Sequence, residues 1–416
     1  MESRAWRLAH SKRHNHLDLW MNRIGFRALF TLTGEQALAQ AVALQPSEET
    51  YLLHYQTLCR RFEPSLAQAA VETAILRQKA KHKTPFAAQL YFTREALEQA
   101  SHWEVACYRA SRMGGYARIL DLGCSIGGDS LAFAQNAFTI GIDCDPLRLS
   151  LAQANGRALH LEERLCFLQA DLRQGLPLRR GLAKTAAFFD PARRLSGRRR
   201  FHVESYQPPL SVVQEWQPFL AALAVKLSPG VALQELAAYN GEVEFISYEG
   251  ELKEAVLWLG ELRSGRRRAT LLPAGVSLSS EDSSAAEDEL LLSPPAAYLY
   301  EPDPAILRAG LVRKLGRMLN ARQMDDKIAY LTAEQAITTP FARCWRVESW
   351  FPFQLKRLRA YLRARGVGKV TVKKRGSPLQ PEALQGALRL KGEEERILFL
   401  THLRGQPIVI IAYPPD

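Results

Sequence analysis

Four aspartates carry most of the chemical potential of this chain, each placed where an apolar run stops: Asp121 in ILDLG, Asp143 in IGIDCDP, Asp171 in FLQADLR and Asp190 in AAFFDPARR. The first heads the stretch Asp121-Leu-Gly123-Cys-Ser125-Ile-Gly127-Gly128-Asp129. Glycines at such a turn let backbone approach a ligand where a side chain would clash. The spacing predicts a buried strand over 117–122, a turn over 123–128, a helix, and a second strand closing on Asp143. About twenty residues separate the turn from that acid, which is where a doubly wound sheet holds a ribose diol. Asp171 and Asp190 then end a third and a fourth strand, the fourth at the switch point where open α/β sheets bind ligands. A plainer role competes at two acids. Asp171 could cap the loop after it, and Asp145 before Pro146 reads as a helix N-cap.

The turn is not the G-x-G-x-x-G of a dinucleotide site. Its acid-first order, with Ser125 at the middle small position, resembles the first motif of class I S-adenosylmethionine-dependent methyltransferases. That resemblance implies S-adenosylmethionine as cofactor, contacted by Asp121, Gly123, Ser125, Gly127, Asp143 and Asp171. A cofactor with a methionine ammonium and no pyrophosphate suits a carboxylate beside the turn. In register with that fold, Asp143 meets the ribose hydroxyls and Asp171 the adenine amine.

Those acids must be positioned by a larger chain. At 416 residues it is long enough for two or three domains. With 47% apolar and 24% charged residues it reads as a soluble globular protein. No apolar run approaches the ~18–20 residues of a membrane span, and the first twenty residues lack a secretory signal pattern. Six cysteines without a C-x-x-C pair indicate neither a disulfide framework nor zinc, so the expectation is a reducing, cytoplasmic setting and no metal. The net charge of +12 is uneven. Residues 111–297 carry 20 basic against 22 acidic side chains, whereas residues 298–416 carry 21 against 11. A cationic appended domain is the usual footprint of a polyanion, and RNA is the expected partner.

In chain order, residues 1–20 read as a flexible basic tail, or as the product of an upstream start codon with Met21 the natural beginning. His10, His14 and His16 there lack a carboxylate or cysteine at ligand spacing. Residues 21–110 form a mainly helical N-terminal domain, with apolar residues recurring at three and four in GEQALAQAVAL and SLAQAAVETAILRQKAK. Thr93 is the expected N-cap of a helix from Arg94, whose Glu98 and Gln99 could overhang the cofactor or simply pack. Residues 111–274 form the core: an α/β, Rossmann-like class I methyltransferase with a mostly parallel seven-stranded sheet. Within it a helix is expected around 210–220, a fifth strand over 223–227, and a terminal antiparallel hairpin. Residues 275–297, rich in serine and acid, read as linker. Residues 298–416 form a basic α+β domain. There Arg357, Arg359, Arg363, Arg365, Lys369, Lys373, Lys374 and Arg375 are expected on one cationic face. Trp345 and Trp350 are expected in its core, with stacking of one exposed ring on a base as the alternative.

Together FTREALEQAS, LDLGCSIGGDS, IDCDPLRL, FFDPARR, VKLSPG, GELKEAVLWLG and YLYEPDPAILRAG resemble one bacterial family of class I methyltransferases. Its members carry an N-terminal helical extension and a C-terminal THUMP-like domain. THUMP domains proper bind tRNA, so the resemblance adds RNA as an expectation by fold analogy. Enzymes that methylate base amines commonly show (Asp/Asn)-Pro-Pro-aromatic at the fourth strand. Here Asp190 and Pro191 keep the first half, and Ala192 and Arg193 replace the rest. Asp190, Pro191 and Arg193 are therefore the expected catalytic positions. Arg194, Arg198, Arg199 and Arg200 beside them, with Lys373, Lys374 and Arg375, are expected to hold substrate phosphates. The expected activity is methylation of rRNA or tRNA. Alternatives are methylation of a protein or small molecule, or RNA binding with a vestigial cofactor pocket.

Overall fold

The computed structural model describes residues 24–192, 194–195, 198–199, 202–280 and 291–414, with backbone alone at 194–195 and 198–199. The tail with its three histidines, Met21, Arg193 and Arg200 lie outside the described residues. Two compact units emerge. The first is built from the chain up to Lys226 with Val231–Ala238 and Leu259–Leu262, and the second from Leu227–Gly230, Tyr239–Trp258 and the chain from Arg263 on.

The first unit holds five parallel strands in the order β7-β4-β1-β2-β3: β1 Arg118–Leu122, β2 Phe138–Asp143, β3 Leu165–Gln169, β4 Thr185–Phe189 and β7 Ala222–Leu227. Every residue of β4 and β7 is buried, which is why these strands read as continuous apolar runs rather than alternating ones. Sequence order reverses between β1 and β4, so the loops after these two strands open the crevice of a doubly wound sheet.

Helices Leu32–Ala43, Tyr51–Cys59 and Pro64–Ala80 form the N-terminal part. They share one hydrophobic core with the parallel sheet, in which Phe92, Ala96 and Leu97 meet Ile126, Leu131 and Leu151. Helix Arg94–Gln99 starts where expected, with Thr93 Oγ1 accepting from Ala96 N. It does pack: Lys83 Nζ donates to the carbonyls of Leu97, Glu98 and Ala100 at its C-terminal end. Glu95 is paired with Arg148 at 2.9 Å.

In the second unit β8 (Glu242–Tyr248) and β9 (Glu251–Gly260) form the expected antiparallel hairpin. β10 (Arg267–Leu272) runs parallel to β8, and β11 (Val276–Ser280) antiparallel to β10. The strand count thus departs from seven, with five parallel strands in one unit and these four of mixed direction in the other. Val276–Ser280 lies inside the stretch read as linker, its alternating Val276 and Leu278 being too short a run to stand out among serines. The helix expected around 210–220 is only Val212–Trp216, because Pro218 turns the chain into a 3₁₀ turn. A further sheet has seven strands in the order β13 (Arg322–Asp325), β14 (Ile328–Ala333), β12 (Tyr298–Pro302), β15 (Ala342–Pro352), β18 (Gln406–Ala412), β17 (Glu394–Leu403) and β16 (Val367–Lys374). Helices Leu355–Arg363 and Pro381–Leu388 bury Leu358, Leu362, Leu384 and Leu388 with residues of that sheet. Tyr330, Trp345 and Phe399 lie in a separate cluster, against which Trp350 packs. No described helix is long and apolar enough to cross a membrane.

Candidate active site

The turn after β1 is shaped by two left-handed glycines, Gly123 (φ 88°) and Gly127 (φ 84°), with Ser125 also left-handed at φ 52°. At Gly123 any side chain is excluded, since a Cβ would stand 2.7 Å from the carbonyl oxygen of Asp190. The turn is held from below. Gly123 N and Cys124 N both donate to Ile142 O, and Asp190 N donates to Leu122 O. Asn155, buried on helix Pro146–Ala158, accepts from Tyr91 N and donates to the carbonyls of Tyr91 and Ile126. It thereby ties the end of the N-terminal part to the turn.

All four aspartates stand at the same, C-terminal edge of the parallel strands. Asp143 is 8% exposed. Its Oδ2 accepts from Ser125 N at 2.9 Å and its Oδ1 from Asp145 N at 2.9 Å, so the carboxylate fixes the turn and the following loop together. Asp145 is the N-cap, accepting from Leu147 N. Asp171 caps a 3₁₀ turn, accepting from Arg173 N and gripped by the Arg173 guanidinium; those hydrogen bonds hold its carboxyl below the usual range. Asp121 is 1% exposed beneath the turn, where Ser130 Oγ donates to it at 2.5 Å. Burial, with the charge of Asp129 second, pushes its carboxyl well above the ordinary value. Asp129 is itself paired with the buried Arg109, whose guanidinium also donates to Ser101 and lies 4.9 Å from the Phe188 ring centre.

At the end of β4, Asp190 Oδ2 accepts from Lys226 Nζ at 2.8 Å. The lysine side chain is 5% exposed and the aspartate 24%. Register sets up the pair: Phe189 lies opposite Val225, so the next residues of β4 and β7 face each other. Sequence reasoning missed Lys226, although a lysine inside the apolar strand ALAVKL was itself a signal that a buried charge needed a partner. Pro191 is buried, and Ala192 exchanges backbone hydrogen bonds with Gln207. Arg194–Leu195 and Arg198–Arg199 pair as a two-stranded hairpin.

Of the eight basic side chains expected on one cationic face of the second unit, Arg365, Lys369, Lys373 and Arg375 are paired with carboxylates. Side chains of Lys373 and Arg375 leave β16 (Val367–Lys374) and its end on one side and reach Glu301, while Lys374 reaches Gln380. Arg365 pairs with Glu348, Lys369 with Glu395, and Arg359 and Arg363 donate to the carbonyls of Ala387 and Arg389. A β-strand alternates its side chains, and carboxylates distant in sequence take up the charge.

The donor set suits S-adenosylmethionine: a glycine cradle, a buried acid under it, and carboxylates at the ends of the next two strands. A chain from Mycobacterium tuberculosis (strain CDC 1551 / Oshkosh), described as an uncharacterised S-adenosylmethionine-dependent methyltransferase, is 35% identical over 349 residues, covering 80% of this chain and 92% of the relative. The chain belongs to the S-adenosylmethionine-dependent methyltransferases. A methyltransferase of strain ATCC 25618 / H37Rv of the same species matches to the same extent. The fold of this methyltransferase is shared with a Porphyromonas gingivalis W83 structure described as a methyltransferase, with TM-score 0.77 and 22% identity over 92% of this chain and 99% of that one. Residues 342–414 match a family described as THUMP domain-like, and residues 23–80 a domain of unknown function.

S-adenosylmethionine supplies an electrophilic methyl on a sulfonium. Asp143 and Asp171 could hold its ribose and adenine, and the backbone of 123–127 its amino-acid end. Lys226 fixes Oδ2 of Asp190. Positioning of a nucleophile accounts for most of such catalysis.

Proposed function

We propose that this methyltransferase acts on RNA, rRNA or tRNA, with Asp190 orienting the nucleophile. The observation that carries the reading is the THUMP domain-like match at residues 342–414, inside the third of the chain with ten excess positive charges. Support also comes from the basic run after Asp190, where Arg193, Arg194, Arg198, Arg199 and Arg200 follow the proposed catalytic acid. Asp190 acts as an acceptor for an N–H of the substrate. Its other oxygen is engaged by the buried ammonium of Lys226.

A second reading, transfer to a protein or small molecule, is favoured by one observation. Arg365, Lys369 and Lys373 are already paired with Glu348, Glu395 and Glu301, and an internally paired cation attracts phosphate weakly. The experiment is transfer of label from radiolabelled S-adenosylmethionine to total RNA of a strain lacking this protein. Label in one RNA class, lost with Asp190→Ala, supports the RNA reading. Label confined to protein or metabolite fractions supports the second.

A further inference from the structure

Glu301-Pro302-Asp303-Pro304, from the conspicuous EPDPAILRAG stretch, belongs to the second unit. With Arg343, Lys373 and Arg375 it lines a cavity of about 410 Å³ in the second unit. That volume lies within the roughly 300–1,000 Å³ of small-ligand pockets. Pro273, Pro340, Leu271 and Leu272 supply apolar walls.

Register and pairing explain the charge of the cavity. Glu301 on β12 (Tyr298–Pro302) lies opposite Arg343 on β15 (Ala342–Pro352). Lys373 is bound to Glu301, and Arg375 Nη2 stands 3.9 Å from the same carboxylate. Asp303, the other acid of the wall, is committed to the N-terminus of helix Pro304–Ala309, accepting from Ala305 N. Lys373 and Arg375 therefore share the Glu301 carboxylate, and Arg343 lines the same cavity. Two of these cations are fixed over rings: Lys373 Nζ lies 4.5 Å from the Trp345 centroid and the Arg375 guanidinium 4.8 Å from that of Tyr330. Arg375 Nη1 is enclosed and donates no hydrogen bond. An enclosed donor without an acceptor is costly unless a ligand supplies one.

We propose that this cavity binds a nucleotide. The fork geometry of Arg343 and Arg375 matches a phosphate, which a point-charge lysine would not orient. The proline and leucine walls take the base. Glu301, held by Lys373, accepts from a sugar hydroxyl or base amine. The site stands on the second unit alone and does not depend on the RNA reading.

The test is calorimetric titration of the full chain with adenosine 5′-monophosphate, a 5′-phosphorylated triribonucleotide, adenosine and inorganic phosphate. The nucleotide or the trinucleotide should bind, adenosine should bind far more weakly, and Arg343→Gln should weaken binding about tenfold, the loss of one charge-assisted contact. Arg343 is exposed, so this variant keeps the fold even where Arg375→Gln, which loses a ring contact, fails. S-adenosylmethionine affinity, measured in parallel, should not change in Arg343→Gln. Binding of the mononucleotide would identify a free ligand, and binding of the trinucleotide alone a strand; both support the site. No binding, equal binding of inorganic phosphate, or an unaltered affinity in Arg343→Gln would overturn it. Intact nucleotide binding with unlabelled RNA would defeat the proposed substrate and leave this site standing.

Discussion

Lys226→Met is the perturbation that most sharply separates scaffold from chemistry. The lysine is 5% exposed and its ammonium lies 2.8 Å from Asp190 Oδ2. Methionine fills similar volume, so the loss is electrostatic rather than a cavity. Removing one member of a buried pair costs roughly 3–5 kcal/mol, and the 24% exposure of Asp190 places this case at about 3 kcal/mol. Asp190→Asn should cost about 2 kcal/mol, because the amide oxygen still accepts from the ammonium but leaves it unneutralised. In the double variant neither charge remains, and the two costs should fall short of additivity by about 2 kcal/mol. At about 2–4 °C per kcal/mol for a unit of this size, Lys226→Met should melt roughly 6–12 °C lower. Differential scanning fluorimetry gives the cycle, and methyl transfer is measured on the same samples. The double variant should be no less stable than Lys226→Met alone, while turnover stays lost, since position 190 is then an amide without a fixed charge. Additivity within about 0.5 kcal/mol would show that the pair is not coupled and would refute this reasoning.

Asp143→Ala should abolish S-adenosylmethionine binding in calorimetry and also lower stability by about 2 kcal/mol, because two backbone donors lose their acceptor; Asp143→Asn should retain much of the stability, and unaltered cofactor affinity in either would remove Asp143 from the site. Glu48, hydrogen-bonded first by Arg94 and then by Lys79, has its carboxyl lowered from 4.5 to about 2. A lowered carboxyl stabilises the fold above pH 4.5 and loses that contribution as pH falls toward 2. Because the side chain is about half exposed, Glu48→Gln should cost only about 1 kcal/mol at pH 7, less in high salt and nothing near pH 2, by thermal melts; a constant difference across pH would exclude the ion pair as the cause. Asp121 titrates the other way: its raised carboxyl favours the fold below the ordinary value of 3.8 and progressively less as pH rises through the folded-state value. Asp121→Asn should therefore gain stability relative to the parent as pH rises, and parallel melting curves would contradict the buried-acid assignment.

How legible was this architecture? The aspartates could be located because each closes a short apolar run and strand ends in parallel sheets are written locally. Thr93 and Asp145 capped as expected for the same reason: a cap and its donors are two or three residues apart. What stayed hidden was pairing across long separations. Lys226 meets an acid 36 residues away, Arg109 meets Asp129, and Asn155 reaches Tyr91 across 64 positions. The pairing of Lys373 with Glu301 and of Arg365 with Glu348 was hidden likewise, because those charges look unpaired in a linear reading. Local composition also misled at residues 276–280, where serines disguised an edge strand.

The central claim is methylation of RNA by way of Asp190. Its most direct test is nucleoside mass spectrometry of total rRNA and tRNA from the parent strain, a deletion strain, and the deletion complemented with Asp190→Ala. One methylated nucleoside should vanish from the deletion and stay absent with Asp190→Ala, while the unaltered chain restores it. Identical methylated-nucleoside profiles in all strains would contradict the account and turn the search to protein and metabolite substrates.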